Sequence, residues 1–186
     1  MFETLKTWDR ELFVFLNNLG VERFDGLWIF FTQIESWTAL FVFFLFPVFY
    51  YYKRKKGFVV FLFTLLTFTI TLFFTDFAKD YFERLRPNNV ASLSGMIRVL
   101  QQPVTYSFFS GHASSSFAIT TFLVLSLRSF NKWIYLAYIW PLIFVTSRIY
   151  VGVHYPLDII CGAAVGTILA CLIYQLYKRF SELYKE

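Results

Sequence analysis

Long apolar segments alternate with short charged segments along this chain of 186 residues. An apolar run of about 17 to 25 residues is long enough to cross a bilayer as a helix. The pattern therefore predicts an all-α, polytopic membrane bundle with about five transmembrane helices, at 36–52, 58–78, 112–128, 133–150 and 157–177. The start of the first span stays open, because 27–33 is also apolar but Gln33 and Glu35 interrupt the apolar pattern before residue 36.

The first 19 residues have a different, amphipathic pattern. Charged residues lie between apolar residues that recur at helical spacing, namely Leu5, Trp8, Leu12, Phe15, Leu16 and Leu19. This pattern predicts a helix over 2–19 that lies in the membrane interface. We expect a single membrane domain, 1–186, with an interfacial region at 1–35, a transmembrane bundle at 36–177 and a cytoplasmic tail at 178–186.

Composition and charge support a membrane protein and orient it. Charged residues make up 16% of the chain, against about 25% in soluble domains. The basic residues concentrate in the links that five spans would place on one side, which are 53–56, Arg128 with Lys132, and Lys178 with Arg179 and Lys185. The positive-inside rule assigns that side, with the C-terminus, to the cytoplasm. The net charge of +5 is therefore an orientation signal, and no nucleic-acid partner is predicted.

The cysteines and small residues predict packing. Cys161 and Cys171 lie ten residues apart on one predicted helix, about 15 Å along its axis, which is too far for a disulfide. Gly162 and Gly166 form a pair that allows close approach of a second helix. No cluster of cysteines and histidines has zinc spacing, and we predict neither a metal nor a cofactor.

Three polar segments fall on the extracytoplasmic side of this topology, at 79–87, 109–116 and 147–158. Each has an ordinary explanation: basic residues that snorkel from a helix end, a satisfied polar histidine, or a structural ion-pair network. Both histidines of the chain nevertheless lie in these segments, on the same face. Ionisable groups gathered at a membrane boundary indicate a functional site.

The residue types in these segments suit phosphoryl transfer. Lys79, Arg86 and Arg148 would stabilise the negative charge on a phosphoryl group, and arginine adds bidentate geometry. Ser110 and Gly111 come just before an apolar helix. Gly111 allows close approach to the free N–H groups of the helix N-terminus, and the Ser110 hydroxyl can donate one further hydrogen bond.

His154 and Asp158 are four residues apart, with Pro156 suited to the first turn of the last helix. A carboxylate at Asp158 would accept a hydrogen bond from Nδ1–H of His154 and leave Nε2 free to attack phosphorus. His112 would protonate the leaving group and then act as base when water hydrolyses the phosphohistidine. This hypothesis predicts a bell-shaped pH–rate profile whose acid limb belongs to His154.

At these residues the chain resembles the type 2 phosphatidic acid phosphatase superfamily of integral membrane lipid phosphatases. Its signatures read K-x6-R-P, P-S-G-H and S-R-x5-H-x3-D. The first is matched by Lys79, Arg86 and Pro87, the second by Ser110, Gly111 and His112, and the third by Ser147, Arg148, His154 and Asp158. Phe109 replaces the proline of the second signature, which changes a turn and removes no chemical group.

The resemblance implies a helical bundle, no metal requirement and a phosphate pocket formed by Lys79, Arg86, Ser110, Gly111, His112 and Arg148. It also implies that His154 is the nucleophile, with Asp158 and His112 in the roles given above. In size the chain is similar to bacterial undecaprenyl pyrophosphate phosphatases, which makes undecaprenyl pyrophosphate the first expected substrate, at the outer face of a bacterial inner membrane. Phosphatidylglycerophosphate and the phosphates of lipid A are rivals.

Partners and specificity are less constrained. We expect the lipid substrate and the bilayer as partners, and no obligatory protein partner. Head-group contacts are expected from 88–108, with Arg98 and Tyr106 as candidates that are equally compatible with ordinary interfacial residues. The lipid tail is expected to reach the site sideways between spans.

Two functions of other classes are compatible with parts of the pattern. Vanadate-dependent haloperoxidases have related pockets but are soluble, so five spans disfavour them. A membrane protein that only binds or moves a phospholipid would not need a histidine and a carboxylate paired as His154 and Asp158 are.

Overall fold

The chain forms a helical bundle, seen in a computed structural model that describes residues 2–183. No β-strand occurs within that range. The α-helices are α1 (Phe2–Asn18), α2 (Asp25–Thr32), α3 (Thr38–Phe82), α4 (Gly111–Leu127), α5 (Ile139–Tyr150) and α6 (Pro156–Leu183). The helical membrane bundle predicted from the sequence is thereby confirmed.

Helix α3 is a hairpin of two arms. Lys53 has φ 59° and ψ 178°, which breaks the helix into arms 38–52 and 54–82. The two arms fold back on each other. Their close approach is seen at Gly57, where a Cβ atom would lie 2.8 Å from the ring of Phe49. The two arms correspond to the first two predicted spans. Among residues 2–183, two helical stretches are long and apolar enough to cross a membrane, by length and composition. They are Glu35–Leu93, which contains both arms, and Pro156–Glu182.

The start of the first span is resolved by a break before it. Helix α2 ends at Thr32, and Gln33 adopts an extended conformation with φ −83° and ψ 131°. A 3₁₀ turn at Glu35–Trp37 then leads into α3 at Thr38. The apolar stretch 27–33 is thus a short separate helix and does not extend the first span.

The fourth predicted span, 133–150, is a composite. A 3₁₀-helix at Lys132–Tyr138 runs into α5, which has 12 residues. Alone, α5 is about 18 Å long, and the seven 3₁₀ residues add about 14 Å. Together they approach the thickness of a hydrocarbon core, about 30 Å.

Helices α4 and α6 form the centre of the bundle at unusually close approach. A Cβ atom at Gly162 would lie 2.7 Å from the carbonyl oxygen of Ser110, and one at Gly166 would overlap the carbonyl oxygen of Ser114. The glycine pair therefore packs within one chain, against α4. Toward the other end of these two helices, aromatic side chains such as Phe122, Trp140 and Tyr177 fill the core.

Helix α1 turns its predicted apolar stripe away from the bundle. Leu5, Trp8, Leu12 and Phe15 are all exposed, as the interfacial interpretation expects. The opposite face is buried and largely polar, consisting of Asp9, Phe13 and Asn17. The Asn17 amide donates to the backbone carbonyls of Arg98, Ile149 and Tyr150, and its oxygen accepts from the Arg98 N–H.

Helix α6 is longer than the predicted span 157–177. It begins at Pro156, as expected, and continues to Leu183, so the predicted tail at 178–186 is mostly helical rather than a separate segment. Lys185, which contributed to the sidedness prediction, lies outside the described residues. Cys161 and Cys171 are both free thiols.

Candidate active site

All eight predicted site residues lie at one end of the bundle. Lys79 is in the last turn of α3, Arg86 follows in the loop, and Ser110 to His112 form the start of α4. Arg148 is in the last turn of α5, and His154 and Asp158 flank the start of α6. The bundle therefore brings together side chains from four separate stretches of sequence, as the sidedness argument predicts.

The orientation of the His154 ring follows from its two neighbours. Nδ1 lies 3.3 Å from Oδ2 of Asp158, and Nε2 lies 2.9 Å from Nη1 of Arg86. A guanidinium group can only donate, so Nε2 must accept. The proton of the neutral ring therefore resides on Nδ1 and points at the carboxylate. This is the tautomer predicted from the sequence, with the lone pair of Nε2 on the side of the basic residues.

His154 is neutral at physiological pH. The side chain is 1% exposed, and burial lowers its pKa to about 4 despite the opposing hydrogen bond to Asp158. The positive charges of Arg86 and Arg148 lower the pKa further. A neutral imidazole is the form that can act as a nucleophile.

Asp158 is held by several donors besides His154. Oδ1 accepts from Nη1 of Arg84 at 2.6 Å. Oδ2 accepts from the hydroxyl of Ser107 and, at 3.0 Å, from the backbone N–H of Tyr155. Since the carboxylate is fully buried, these contacts fix both its charge and its orientation.

Arg86 and Arg148 are buried guanidinium groups that contact no carboxylate among the described residues. Arg86 donates to the carbonyl and hydroxyl oxygens of Thr105, to the Val153 carbonyl and to His154. Arg148 donates to the hydroxyl of Thr32 and, at 3.0 Å, to the Gln101 amide. Its Nε has no hydrogen-bond partner within residues 2–183.

These two arginines give the site a positive charge that the fold does not neutralise. Arg86 is 5% exposed and Arg148 is 4% exposed. Burial lowers the pKa of Arg86 to about 10, which still leaves it protonated at neutral pH. Buried charges without counter-charges are costly. A phosphate anion is a ligand that would neutralise them with bidentate hydrogen bonds.

Lys79 and the start of α4 form the next wall of the site. Nζ of Lys79 is 3.5 Å from Asp76 and would be 3.6 Å from a Cβ atom at Gly111. Ser110 is the N-cap of α4, where its hydroxyl accepts from the Ala113 N–H at 3.4 Å. Its backbone N–H donates to the carbonyl of Asp158, which joins this helix start to α6. The remaining N–H groups there are available to an anion.

His112 lies between the charged groups and an apolar cavity. Its ring is 4.7 Å from that of Phe144, and it interacts electrostatically with Arg148, His154, Arg86 and Lys79. His112 also lines the cavity, together with Lys79 and Gly111. It is therefore the one histidine that faces the space a lipid could occupy.

The cavity runs from the site between the two arms of α3 and has a volume of about 620 Å³. Its polar end is formed by Lys79, Gly111 and His112, and its walls are almost entirely apolar. Several wall residues, including Val42, Leu65 and Leu72, are also exposed on the outer surface of the bundle. The cavity thus opens sideways, toward the region that five spans assign to the bilayer.

Sequence reasoning missed several side chains that hydrogen-bond to the site residues, namely Thr32, Arg84, Gln101, Thr105 and Ser107. It also missed Asp9, which reaches Asp158 through Arg84. Arg84 bridges Asp9 and Asp158 at 2.6 Å each, whereas the sequence alone is compatible with a basic residue that snorkels from a helix end. Its position two residues before Arg86 was the only available signal. Asp9 belongs to an amphipathic helix whose charged face the sequence alone assigns to water.

The two specificity candidates do not reach the site. Arg98 pairs with Asp25 at 2.5 Å and lies over the ring of Tyr150, so it tethers the loop to α2. Tyr106 donates to Glu83 at 3.4 Å and is partly exposed. Neither lines the cavity, and the proposed head-group role of Arg98 is not supported. Within residues 2–183 no group of His, Cys, Asp and Glu side chains is placed to hold a metal ion.

Comparisons with known proteins agree with this geometry. A family model described as the PAP2 superfamily matches residues 58–182. A lipid A 4'-phosphatase of Porphyromonas gingivalis is 29% identical over 91% of this chain and 72% of its own length. An undecaprenyl-diphosphatase of Sulfolobus acidocaldarius is 30% identical over 89% of this chain and 77% of its own length.

Two solved structures share the fold. A transmembrane PAP2-type phosphatidylglycerolphosphate phosphatase from Bacillus subtilis superposes with a TM-score of 0.74 at 22% identity, covering 98% of this chain and 89% of that one. Aquifex aeolicus LpxE superposes with a TM-score of 0.64 at 27% identity, covering 89% and 93% of the two chains. The chain is therefore a member of the PAP2 superfamily of membrane lipid phosphatases.

Proposed function

We propose that this protein hydrolyses a lipid pyrophosphate or phosphate through a phosphohistidine on His154, with undecaprenyl pyrophosphate as the first candidate substrate. The observation that carries the proposal is the pair of buried arginines, without carboxylate partners among the described residues, beside the lone pair of a neutral imidazole. A binding protein would need the arginines, but it would not need the nucleophile.

The first step breaks the bond between phosphorus and the leaving oxygen. Nε2 of His154 attacks phosphorus, while protonated His112 gives its proton to the leaving phosphate or alkoxide. Asp158 stabilises the charge that develops on the His154 ring. In the second step, His112 removes a proton from water, the hydroxide displaces Nε2, and inorganic phosphate is released. Both histidines then return to their starting protonation states.

Arg86 must release the nucleophile before attack. Its Nη1 holds the lone pair of Nε2 at 2.9 Å, and phosphate oxygens are stronger acceptors than an imidazole nitrogen. A substrate phosphate would therefore draw the guanidinium toward itself and expose Nε2. Arg148, Lys79 and the N-terminus of α4 complete the set of groups that would stabilise the equatorial oxygens.

The cavity favours a lipid as the carrier of this phosphate. With a volume of about 620 Å³ and apolar walls, it would hold part of a hydrocarbon chain while the head group meets Lys79 and His112. A single cleft between two helix arms suits a single-chain polyprenyl lipid. The matched undecaprenyl-diphosphatase, of which the chain covers 77%, supports the same substrate.

A second candidate is the 4'-phosphate of lipid A. Two matched relatives are lipid A 4'-phosphatases, at 29% identity for Porphyromonas gingivalis and 26% for Bacteroides thetaiotaomicron. Phosphatidylglycerophosphate is the third comparison, since the neighbour from Bacillus subtilis shows a shared fold at 22% identity.

The active site is proposed to face the outside of the cell. The links at 53–56 and 128–132 lie at the end of the bundle opposite the catalytic residues, because each is separated from them by one span. Both links are basic, and basic links stay in the cytoplasm. The C-terminal end of α6 lies on the same side.

The deciding experiment measures phosphate release by purified protein in detergent micelles. We would compare undecaprenyl pyrophosphate, lipid A, phosphatidylglycerophosphate and phosphatidic acid, each with and without EDTA, and use His154→Ala as the inactive control. The proposal expects release from undecaprenyl pyrophosphate, unaffected by EDTA and lost in the variant. Faster release from lipid A would select the second substrate. No release from any lipid by folded protein would favour a binding or transport role.

A further inference from the structure

Asp9 and Arg84 connect the interfacial helix α1 to the carboxylate that orients His154. Nη2 of Arg84 donates to Oδ2 of Asp9, and Nη1 donates to Oδ1 of Asp158, both at 2.6 Å. The other oxygen of Asp9 accepts from the backbone N–H of Leu157, at 2.8 Å. Asp9 therefore contacts both the guanidinium and the first turn of α6, which carries Asp158.

The ion pair between Asp9 and Arg84 is more buried than an ordinary surface ion pair. Asp9 is 7% exposed, and the Arg84 side chain is 22% exposed. The guanidinium also stacks on the ring of Tyr155, at 4.0 Å from its centroid. A planar guanidinium group that donates to two carboxylates and stacks on an aromatic ring holds those side chains in a fixed geometry.

Arg84 also fixes the second donor to Asp158. Its backbone carbonyl accepts from the N–H of Ser107 at 2.8 Å, and the hydroxyl of Ser107 donates to Oδ2 of Asp158. One residue thus controls both carboxylate oxygens, one through its side chain and one through its backbone. Its only carboxylate partner other than Asp158, among residues 2–183, is Asp9.

We propose that Asp9 and Arg84 are positioning residues for hydrolysis, which keep the Asp158 carboxylate correctly oriented toward His154. The geometry of the Asp158–His154 pair would then depend on the docking of α1. This inference rests on the function proposed above for His154. Neither residue touches the reacting atoms, and neither belongs to the three signature motifs. Because the apolar stripe of α1 faces outward, the contact with Asp9 also links seating of α1 at a lipid surface to the catalytic pair.

Asp9 and Arg84 carry opposite charges, so removing each charge should shift the pKa of His154 in opposite directions. Asp9→Asn removes a negative charge near the site, which disfavours protonation of His154. Arg84→Gln removes a positive charge, which favours it. The acid limb of kcat/KM reports protonation of the free enzyme, so it should move to lower pH in Asp9→Asn and to higher pH in Arg84→Gln, by up to about 1 unit.

Other charged groups near His154 remain constant in this comparison. They are Asp158 on α6, Arg86 in the loop after α3, Arg148 on α5, His112 on α4, and Arg10 on α1 beside Tyr155. The double variant, Asp9→Asn with Arg84→Gln, removes one charge of each sign. Its acid limb should return close to that of the wild type while its kcat stays low.

The experiment uses full-length protein and undecaprenyl pyrophosphate in micelles, or lipid A if that is hydrolysed faster. We expect each single variant to lower kcat about 10- to 100-fold, with KM little changed because the phosphate ligands are intact. Asp25→Asn is the matched control, since it breaks the Arg98 ion pair on α2 and should change neither kcat nor the acid limb.

Three outcomes decide the inference. Shifts of opposite sign with reduced kcat support it. An unchanged acid limb, with or without a loss of kcat, overturns it, because a purely structural contact would lower only the amount of folded enzyme. If Arg84→Gln fails to fold, Asp9→Asn alone decides. Activity that survives in His154→Ala contradicts the proposed nucleophile instead, so the two failures are distinguishable.

Discussion

Single side chains determine the chemistry, and Asp158 is the most constrained of them. It accepts from Arg84, Ser107, the Tyr155 N–H and His154. In Asp158→Asn, we expect kcat to fall about 10³- to 10⁴-fold, because an amide no longer fixes the Nδ1–H tautomer or stabilises a charged ring. Phosphate release measures this loss, and normal binding of vanadate would show that the pocket is intact. Near-normal turnover would contradict the role of Asp158.

The buried imidazole predicts an unusual pH dependence. Because burial lowers the pKa of His154 to about 4, the proposed nucleophile is largely neutral above about pH 5. Its neutral form is lost as the pH falls through 4. The acid limb of kcat/KM should therefore be centred near pH 4 rather than at 6.5, the usual value for histidine. A profile whose acid limb lies at pH 6 or above would assign that limb to another group.

At Arg86, a lysine would keep the positive charge but should not support normal activity. All three guanidinium nitrogens donate, to Thr105, Val153 and His154, and one ammonium cannot reproduce that fork. We expect Arg86→Lys to lower kcat by about 100-fold or more. Phosphate release in the assay above measures it, with Lys55→Arg in the opposite link as the control. Equal activity of Arg86→Lys would mean that only the charge matters.

The grouping of these residues at one end of the bundle could be predicted, because motif spacing and the order of the spans can both be read along the chain. The separation of His154 and Asp158 by four residues directly implies one helical turn, and the structure shows that contact. The contact between Asp9 and Arg84 could not be predicted, because neither residue is a fixed position of a signature motif. An acidic residue on an amphipathic helix is indistinguishable from a solvated one until the tertiary packing is known.

At the scale of helices, the close approach of α4 and α6 positions the site. A Cβ atom at Gly162 would lie 2.7 Å from the Ser110 carbonyl oxygen, at the helix N-terminus that is proposed to bind the substrate phosphate. We expect Gly162→Ala to push α4 away, to cost about 1 to 3 kcal/mol of stability and to lower kcat. Thermal unfolding and phosphate release measure the two effects.

Gly26 supplies the matched control for that helix contact. It also lies in a helix, α2, but a Cβ atom there meets nothing within 4 Å. Gly26→Ala should therefore keep full activity and leave stability unchanged or slightly raised. Equal behaviour of the two variants would show that the approach of α4 and α6 is looser than the geometry indicates.

Helix boundaries were less predictable than helix existence, for two physical reasons. The apolar run 27–33 leaves the start of the first span open in the sequence, and the extended backbone at Gln33 ends α2 before that span. In the fourth span, the change from a 3₁₀-helix to α5 at Ile139 has no strong signal in an apolar sequence. Hydropathy measures affinity for the bilayer and does not report backbone conformation, so it could predict neither break.

At the scale of the whole molecule, the basic links between helices predict which end of the bundle faces the cytoplasm. With Cys161 and Cys171 changed to serine, a cysteine at exposed Ser94 should react with a membrane-impermeant maleimide in intact cells. A cysteine at exposed Lys55 should react only after the membrane is opened, because the basic link stays inside. The reverse pattern would invert the topology and place the active site in the cytoplasm.

The sideways opening of the cavity has a consequence for how this enzyme must be assayed. Its lipid would arrive by diffusing within a two-dimensional film, past exposed wall residues such as Val42 and Leu72. Turnover should then follow the mole fraction of substrate in the film and be nearly indifferent to moles per litre. Adding inert detergent at constant total substrate lowers the mole fraction of substrate in each micelle. It should therefore slow the reaction of an enzyme that meets its substrate only at the micelle surface.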